Sequence, residues 1–487
     1  MKIFPKSVLC CLLVFLMALS CYALCEVQPS DKAYEEGKTY RLIEETVDLT
    51  GIPVYAPAHA LEDLGLDAEN QEGLVQIGVY EELFKDASLT LKYASRNLDT
   101  LMFTVGNGEG IVCLRNGRLI VTAPSYTRGA EDAYGVFDFI ANSREFYALA
   151  TRNGMIFSPD GRYAVYVNSA RVLQMMRFEY QLIILDVEAG EWYLGYTWPA
   201  KIMQGGEAVL SACFDENGES ILLRAYGNAY SARNSLLRYD IKTGNMKHVL
   251  SHEFDVDYTN LLKIPSGFVH GTMQMKANNP SGIIIYKETA QKLVPTAHYF
   301  HIPQSSLSIQ HLDVNSKTGQ ALIIAHLQLQ NPDAAADSLA ASVSTIMNGL
   351  ILPVLNDGVD HLQELILFDK HLTQAKRVSF TDYSEFIHAL DSDILTYPAL
   401  STAALSPDGK YAFLTFSEVG DMLNSSARIL NTQTLSLSNV EFDEGVVTPH
   451  SIFSSGYSAQ YPIGANFIAN DLVLINTKEG VKLFRIQ

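Results

Sequence analysis

Phe157 to Val167 reads FSPDGRYAVYV, and Leu405 to Phe416 reads LSPDGKYAFLTF. The shared Ser-Pro-Asp-Gly poses a choice between chemistry and architecture. Pro159 fixes φ at the second position of a tight turn, and Gly161 supplies the left-handed conformation that closes it. Asp160, between them, can accept hydrogen bonds from nearby backbone amides. A carboxylate tied to its own turn makes a poor acid or base, so the motif reads as architecture. The flanking Phe157, Tyr163 and Val165 are expected to point into the space between neighbouring sheets.

Around these turns one pattern keeps returning: an apolar run, a turn, and a second apolar run. Leu182 to Tyr196 (LIILDVEAGEWYLGY) and Leu236 to Leu250 (LLRYDIKTGNMKHVL) are its clearest forms, with weaker copies from Gly135, Ile283, Leu365, Ala427 and Leu472. Alternation broken by Asp, Asn, Thr and Gly predicts β-hairpins with one buried face. Anchoring each copy on the residue that closes its first strand gives Asp138, Asp186, Asp240, Lys287, Asp369, Asn431 and Asn476. Most intervals fall between 45 and 62 residues, with one of 82 from Lys287 to Asp369. A second hairpin precedes several copies, as in SACFDENGESILLRA from Ser211 and HLDVNSKTGQALIIA from His311. Two hairpins per repeat make a four-stranded blade, and repeats of this length predict an all-β fold, a β-propeller. Over roughly residues 90 to 487 the chain resembles the WD-repeat-like, TolB-type β-propellers of bacteria, in which a Ser-Pro-Asp-Gly turn precedes the second strand of a blade. That resemblance implies a fold and no particular activity. Seven blades fit the repeats best, with six and eight as alternatives.

The 487 residues are 48% apolar and 18% charged, the profile of a globular protein with a large core. Residues 1–23 read as a secretory signal: Lys2 and Lys6, an apolar run too short to span a membrane permanently, then small residues. Two readings stay open. Cleavage after Ala23 frees the protein, whereas MALSC resembles a bacterial lipobox that would lipidate Cys21. The body then retains Cys113 and Cys213, expected as two buried thiols. The net charge of −19, which becomes −21 once Lys2 and Lys6 leave, disfavours nucleic acid as a partner.

Residues 26–86 lack the repeat and are expected to cap the propeller or close its ring, leaving 87–487 for the propeller itself. Within it, 331–363 carries an Asn331 cap, Pro332 at a first helical position, and Leu339, Val343, Ile346, Met347 and Leu350 at helical spacing, predicting an inserted amphipathic helix. The turns joining strands one to two are short, whereas the segments from Asn168, Tyr226, Met275 and Ser417 read as long loops on the opposite face. A scaffold that elaborates one face tends to bind there. Arg171, Arg177, Tyr226, Tyr230 and Arg233 on that face are the candidate binding residues, of types enriched in binding hot spots.

No catalytic or metal-ligating set is expected, and no cofactor. His248 with His252, and His298 with His301, lie in strand and loop contexts rather than on one helix face. No nucleophile elbow, phosphate loop or dinucleotide fingerprint occurs. The sequence thus predicts a monomeric, extracytoplasmic propeller that binds a protein, peptide or glycan without catalysis, touching the membrane only through a lipid on Cys21. The alternative is a propeller enzyme acting on polysaccharide at its central channel.

Overall fold

In the computed structural model, the described residues are 32–106, 110–125, 155–172, 177–200, 208–226, 234–252, 261–272, 282–288, 293–299, 305–329, 363–372, 375–379, 398–418, 425–441, 465–477 and 480–487. Their strands form antiparallel four-stranded meanders. Meander A runs Leu89–Ala94, Thr100–Val105, Gly110–Arg115, Arg118–Val121, and meander B runs Ile156–Phe157, Tyr163–Val172, Arg177–Asp186, Glu191–Ala200. Meander C comprises Ala208–Phe214, Ser220–Tyr226, Asn234–Asp240 and Met246–His252. Meander D comprises Leu262–Ile264, Gly267–Thr272, Gly282–Glu288 and Leu293–Tyr299. Meander E has Ser305–Val314, Ala321–Leu329, Gln363–Phe368 and Ala375–Ser379, and meander F has Pro398–Leu405, Tyr411–Glu418, Ser425–Asn431 and Leu437–Glu441.

Meander G breaks the order. Its three C-terminal strands, Ala465–Ala469, Leu472–Thr477 and Gly480–Ile486, take their fourth partner from Thr39–Glu45 near the other end of the chain. Leu42 to Glu45 pair antiparallel with Gly480–Ile486, while Thr39 to Arg41 pair parallel with Leu437–Glu441, stitching meander G to F. The Leu472 repeat is therefore not equivalent to the others. Its hairpin joins strands two and three of its sheet, and Asn476 does not occupy the place of Asp186 or Asp240.

The residue pattern explains how the sheets stack. On one strand Val165 and Val167 join a cluster with Phe214, Leu223 and Tyr239 of meander C. Their neighbours Ala164 and Tyr166 join Met102, Cys113 and Ile120 of meander A. Both faces of the middle strands are buried, a correction to the one-faced hairpins expected from alternation. It explains why LIIL and GIIIY are uninterrupted apolar runs. Tyr163 and Val165 pack toward meander C and Phe157 toward meander A, so the Ser-Pro-Asp-Gly flank feeds two interfaces. Further clusters join C to D, D to E, E to F and F to G. One more, containing Leu101, Phe103, Ile468 and Leu474, joins G back to A, so the sheets close a circle.

The segment 46–86 adds to the rim of meander A. Pro53–Pro57 pairs parallel with Arg118–Val121, and Leu74–Val79 pairs antiparallel with Pro53–Pro57, making a six-stranded sheet. The expected inserted helix lies outside the described residues from 331 to 362, and Gln363 belongs to a strand. The repeat copy from Gly135 also lies outside them.

Candidate functional site

The two Ser-Pro-Asp-Gly turns are built alike, and the serine is their hub. Ser158 Oγ donates to Asp160 Oδ1 at 2.6 Å and accepts from the Tyr163 amide at 2.9 Å, while the Arg162 amide donates to Asp160 Oδ1 at 3.1 Å. Ser406, Asp408, Lys410 and Tyr411 repeat the arrangement at 2.7, 3.0 and 3.0 Å. Partial burial pushes both carboxyls up, but these hydrogen bonds, with Arg115 near Asp160 and Asn470 donating to Asp408, outweigh it and leave both below the ordinary range. A carboxyl so held lends stability that is complete above its ordinary value of 3.8 and is lost as pH falls through the lower folded value. Replacing Asp160 and Asp408 with Asn is expected to flatten the fall of the thermal midpoint below about pH 4. An unchanged acid limb would contradict this role.

The other turns at this position keep the geometry with different residues. Ser95 Oγ accepts from the Thr100 amide at 2.9 Å, with Leu98 at φ 59° doing the work of the missing glycine. Asp215 takes the serine's place in meander C, accepting from the amides of Glu219 and Ser220, so its carboxylate is consumed by its own turn. Asn315 accepts from the Lys317 and Thr318 amides and donates to the carbonyls of Ser406 and Pro407 in the next turn. Adjacent turns are thus bonded to each other. Arg115, buried, reaches Thr100 Oγ1, the Asp160 carbonyl and Glu188, locking meander A to B.

One bond at this end runs across the circle. Arg96 Nη1 donates to the Val314 carbonyl at 2.9 Å, and Nη2 stands 3.9 Å from Asp313 Oδ2, which accepts from the Leu405 amide at 2.8 Å. Meander A has B and G as neighbours and meander E has D and F, so Arg96 crosses the mouth of the central channel. Beside it His311 Nε2 lies 2.7 Å from the Ala403 carbonyl, and burial lowers its pKa. Sequence reading missed Arg96, Arg115 and Asp313. For Arg96 the signal was positional, since SRNLDT, Ser95 to Thr100, stands where Ser-Pro-Asp-Gly stands elsewhere.

The opposite ends of the strands carry the expected binding residues. Arg171 and Arg177 occupy consecutive rungs near the tip of one hairpin, paired with Phe178 and Val172. The segment from Asn168 is therefore mostly strand, with only 173–176 outside the described residues, rather than the long loop expected. Tyr226 pairs with Asn234 at the corresponding tip of meander C, which packs beside meander B. The structure brings these three positions to one end of two adjacent sheets. Tyr230 and Arg233 lie outside the described residues.

His248 and His252 share the strand Met246–His252, His298 sits in Leu293–Tyr299, and His301 lies outside the described residues. Among the described residues no three His, Cys, Asp or Glu side chains are grouped to hold a metal ion. Cys113 and Cys213 are separate thiols, and burial raises both above the ordinary range. No described helix is long and apolar enough to cross a membrane.

No protein-family model matches the chain, and none of the curated proteins does. Solved structures do. An oligogalacturonate lyase in complex with manganese superposes with a TM-score of 0.50 at 11% identity, over 86% of this chain and 94% of that one. TolB from Acinetobacter baumannii matches at 0.36 and 10% identity, over 84% and 94%. The C-terminal WD40 domain of Sif2 matches at 0.40 and 8%, over 93% and 100%. The fold is a β-propeller. Propellers in this set include both enzymes and non-enzymes, and at such identities the likeness speaks to the fold alone.

Proposed function

We propose that this propeller has seven blades, meanders A to G, and binds a protein, peptide or glycan through the face opposite its Ser-Pro-Asp-Gly turns, without catalysis. The reading places the protein outside the cytoplasm, secreted or anchored through Cys21. The observation that supports it is the asymmetry of the two ends. At the turn end, Asn315, Arg115 and Asn470 tie neighbouring turns together and Arg96 crosses the channel mouth. A ligand there would have to break bonds that hold the ring. At the other end, Arg171, Arg177 and Tyr226 stand at the tips of two adjacent sheets, where connections can vary without touching the core.

Replacing Arg171, Arg177 and Arg233 together with Ala is expected to abolish capture of a ligand from native envelope extracts while the protein keeps a single cooperative thermal transition. Unaltered capture would count against this face. The alternative, an enzyme acting on polysaccharide in the channel, rests on the lyase superposition, which carries the fold and not the activity. Release of unsaturated sugars from a polyuronate by the purified protein would favour it.

A further inference from the structure

Sheet edges are hazards, and proteins blunt them with Lys, Pro or a covering strand. Among the described residues the outermost strands of this propeller follow that rule with one exception. Ala123–Pro124 ends in proline, Leu293–Tyr299 contains Pro295, Met246–His252 contains Lys247, and Ala375–Ser379 contains Lys376 and Arg377. Leu74–Val79, LVQIGV, forms the outer edge of the six-stranded sheet and has neither charge nor proline. Among the described residues it pairs only with Pro53–Pro57, so its other side presents unpaired backbone groups.

Two features belong to the segments that lead into and out of this strand. Leu64, Leu66 and Leu83 are exposed by 46%, 41% and 42%, more than almost any other large apolar side chain described. Both ends of the strand are acidic: Asp67, Glu69 and Glu72 precede it, Glu81, Glu82 and Asp86 follow it, and Lys85 is the single basic residue between Glu62 and Asp86. These carboxylates decide the occupant. A second copy pairing antiparallel would bring acidic end against acidic end, which is destabilising. A chain with basic residues around a short apolar stretch would meet complementary charge at both ends.

We infer that Leu74–Val79 is a docking edge for an extended, basic segment of another polypeptide, which adds to the sheet as a further strand. Backbone bonds supply the affinity, Leu83, whose side chain lies against Gly78, shelters an apolar side chain, and the acidic ends select for Lys and Arg. The site is separate from the hairpin face proposed above and stands or falls without it.

The test uses the purified protein and the labelled peptide acetyl-KRVTVTVKR-amide, with acetyl-EEVTVTVEE-amide as its charge-inverted control. The basic peptide is expected to bind and to slow amide hydrogen exchange across 74–79, while the acidic one does not bind. Gln76→Lys, which places a charge at an exposed edge position, and the separate exposed variant Glu72→Lys are each expected to weaken binding about tenfold or more with the thermal midpoint unchanged. The inference is overturned if the basic peptide fails to bind, or if it binds both variants equally without protecting 74–79, as non-specific attraction to the acidic surface would. A dimer in sedimentation that Gln76→Lys dissolves would also overturn it, since it would make a second copy the occupant.

Discussion

Leu42→Asp is expected to cost most of the protein's stability. Leu42 is 1% exposed and packs with Phe413, Val440, Phe484 and Ile486, at the point where Thr39–Glu45 switches partners from meander F to meander G. Truncating a buried leucine costs about 2–5 kcal/mol, and a lone buried charge adds several more, against a total of about 5–15 kcal/mol for a domain. The strand and the residues before it also hold the ring through polar contacts: Lys32 Nζ donates to the Ile486 carbonyl at 2.8 Å, Tyr34 to the Asn470 carbonyl, and Arg485 pairs with Glu45 of the strand. With Leu42 charged, meander G loses its fourth strand and exposes an open edge. Urea denaturation followed by tryptophan fluorescence is expected to show a large fall in midpoint for Leu42→Asp and a smaller one for Leu42→Ala. An unshifted midpoint for Leu42→Asp would mean that the N-terminal strand does not close the ring.

Gly267→Ala is expected to be nearly as severe for a purely local reason. Gly267 has φ 144°, a conformation that L residues rarely adopt, and a β-carbon built there would lie 1.9 Å from the Tyr286 carbonyl oxygen. That oxygen belongs to the neighbouring strand of meander D, whose ladder pairs Gly267 with Lys287, so it cannot move without breaking pairing. Backbone strain of about 1–3 kcal/mol and overpacking of about 1–3 kcal/mol then act together. The same change at Gly244, where only the Tyr239 hydroxyl lies within 4 Å, keeps the positive φ but lacks the clash and is the control. Equal thermal midpoints for the two variants would show that the close approach at Gly267 is not maintained in solution.

The repeat, the four-stranded unit and the role of Ser-Pro-Asp-Gly were legible because they are local. A turn that satisfies its own amides within six residues leaves a mark whatever surrounds it. Even there the reading named Asp160 and missed Ser158, whose hydroxyl joins both halves of the turn. Ser95 makes the same bond without proline or glycine nearby, and was therefore invisible as a copy. The binding positions were legible only as residue types. That Arg171 and Arg177 lie on paired strands follows from a register spelled across both halves of a hairpin.

From residues alone came the fold class, the approximate repeat and the two ends of each sheet, since period, turn chemistry and apolar runs act over a few neighbours. Only the folded chain decided that Thr39–Glu45 completes the last sheet, that Arg96 spans the channel mouth to Val314, and that Leu74–Val79 is, among the described residues, an edge without a covering strand. Each of these joins or exposes segments far apart in sequence. No local pattern encodes such a pairing; closing the circle of sheets creates it.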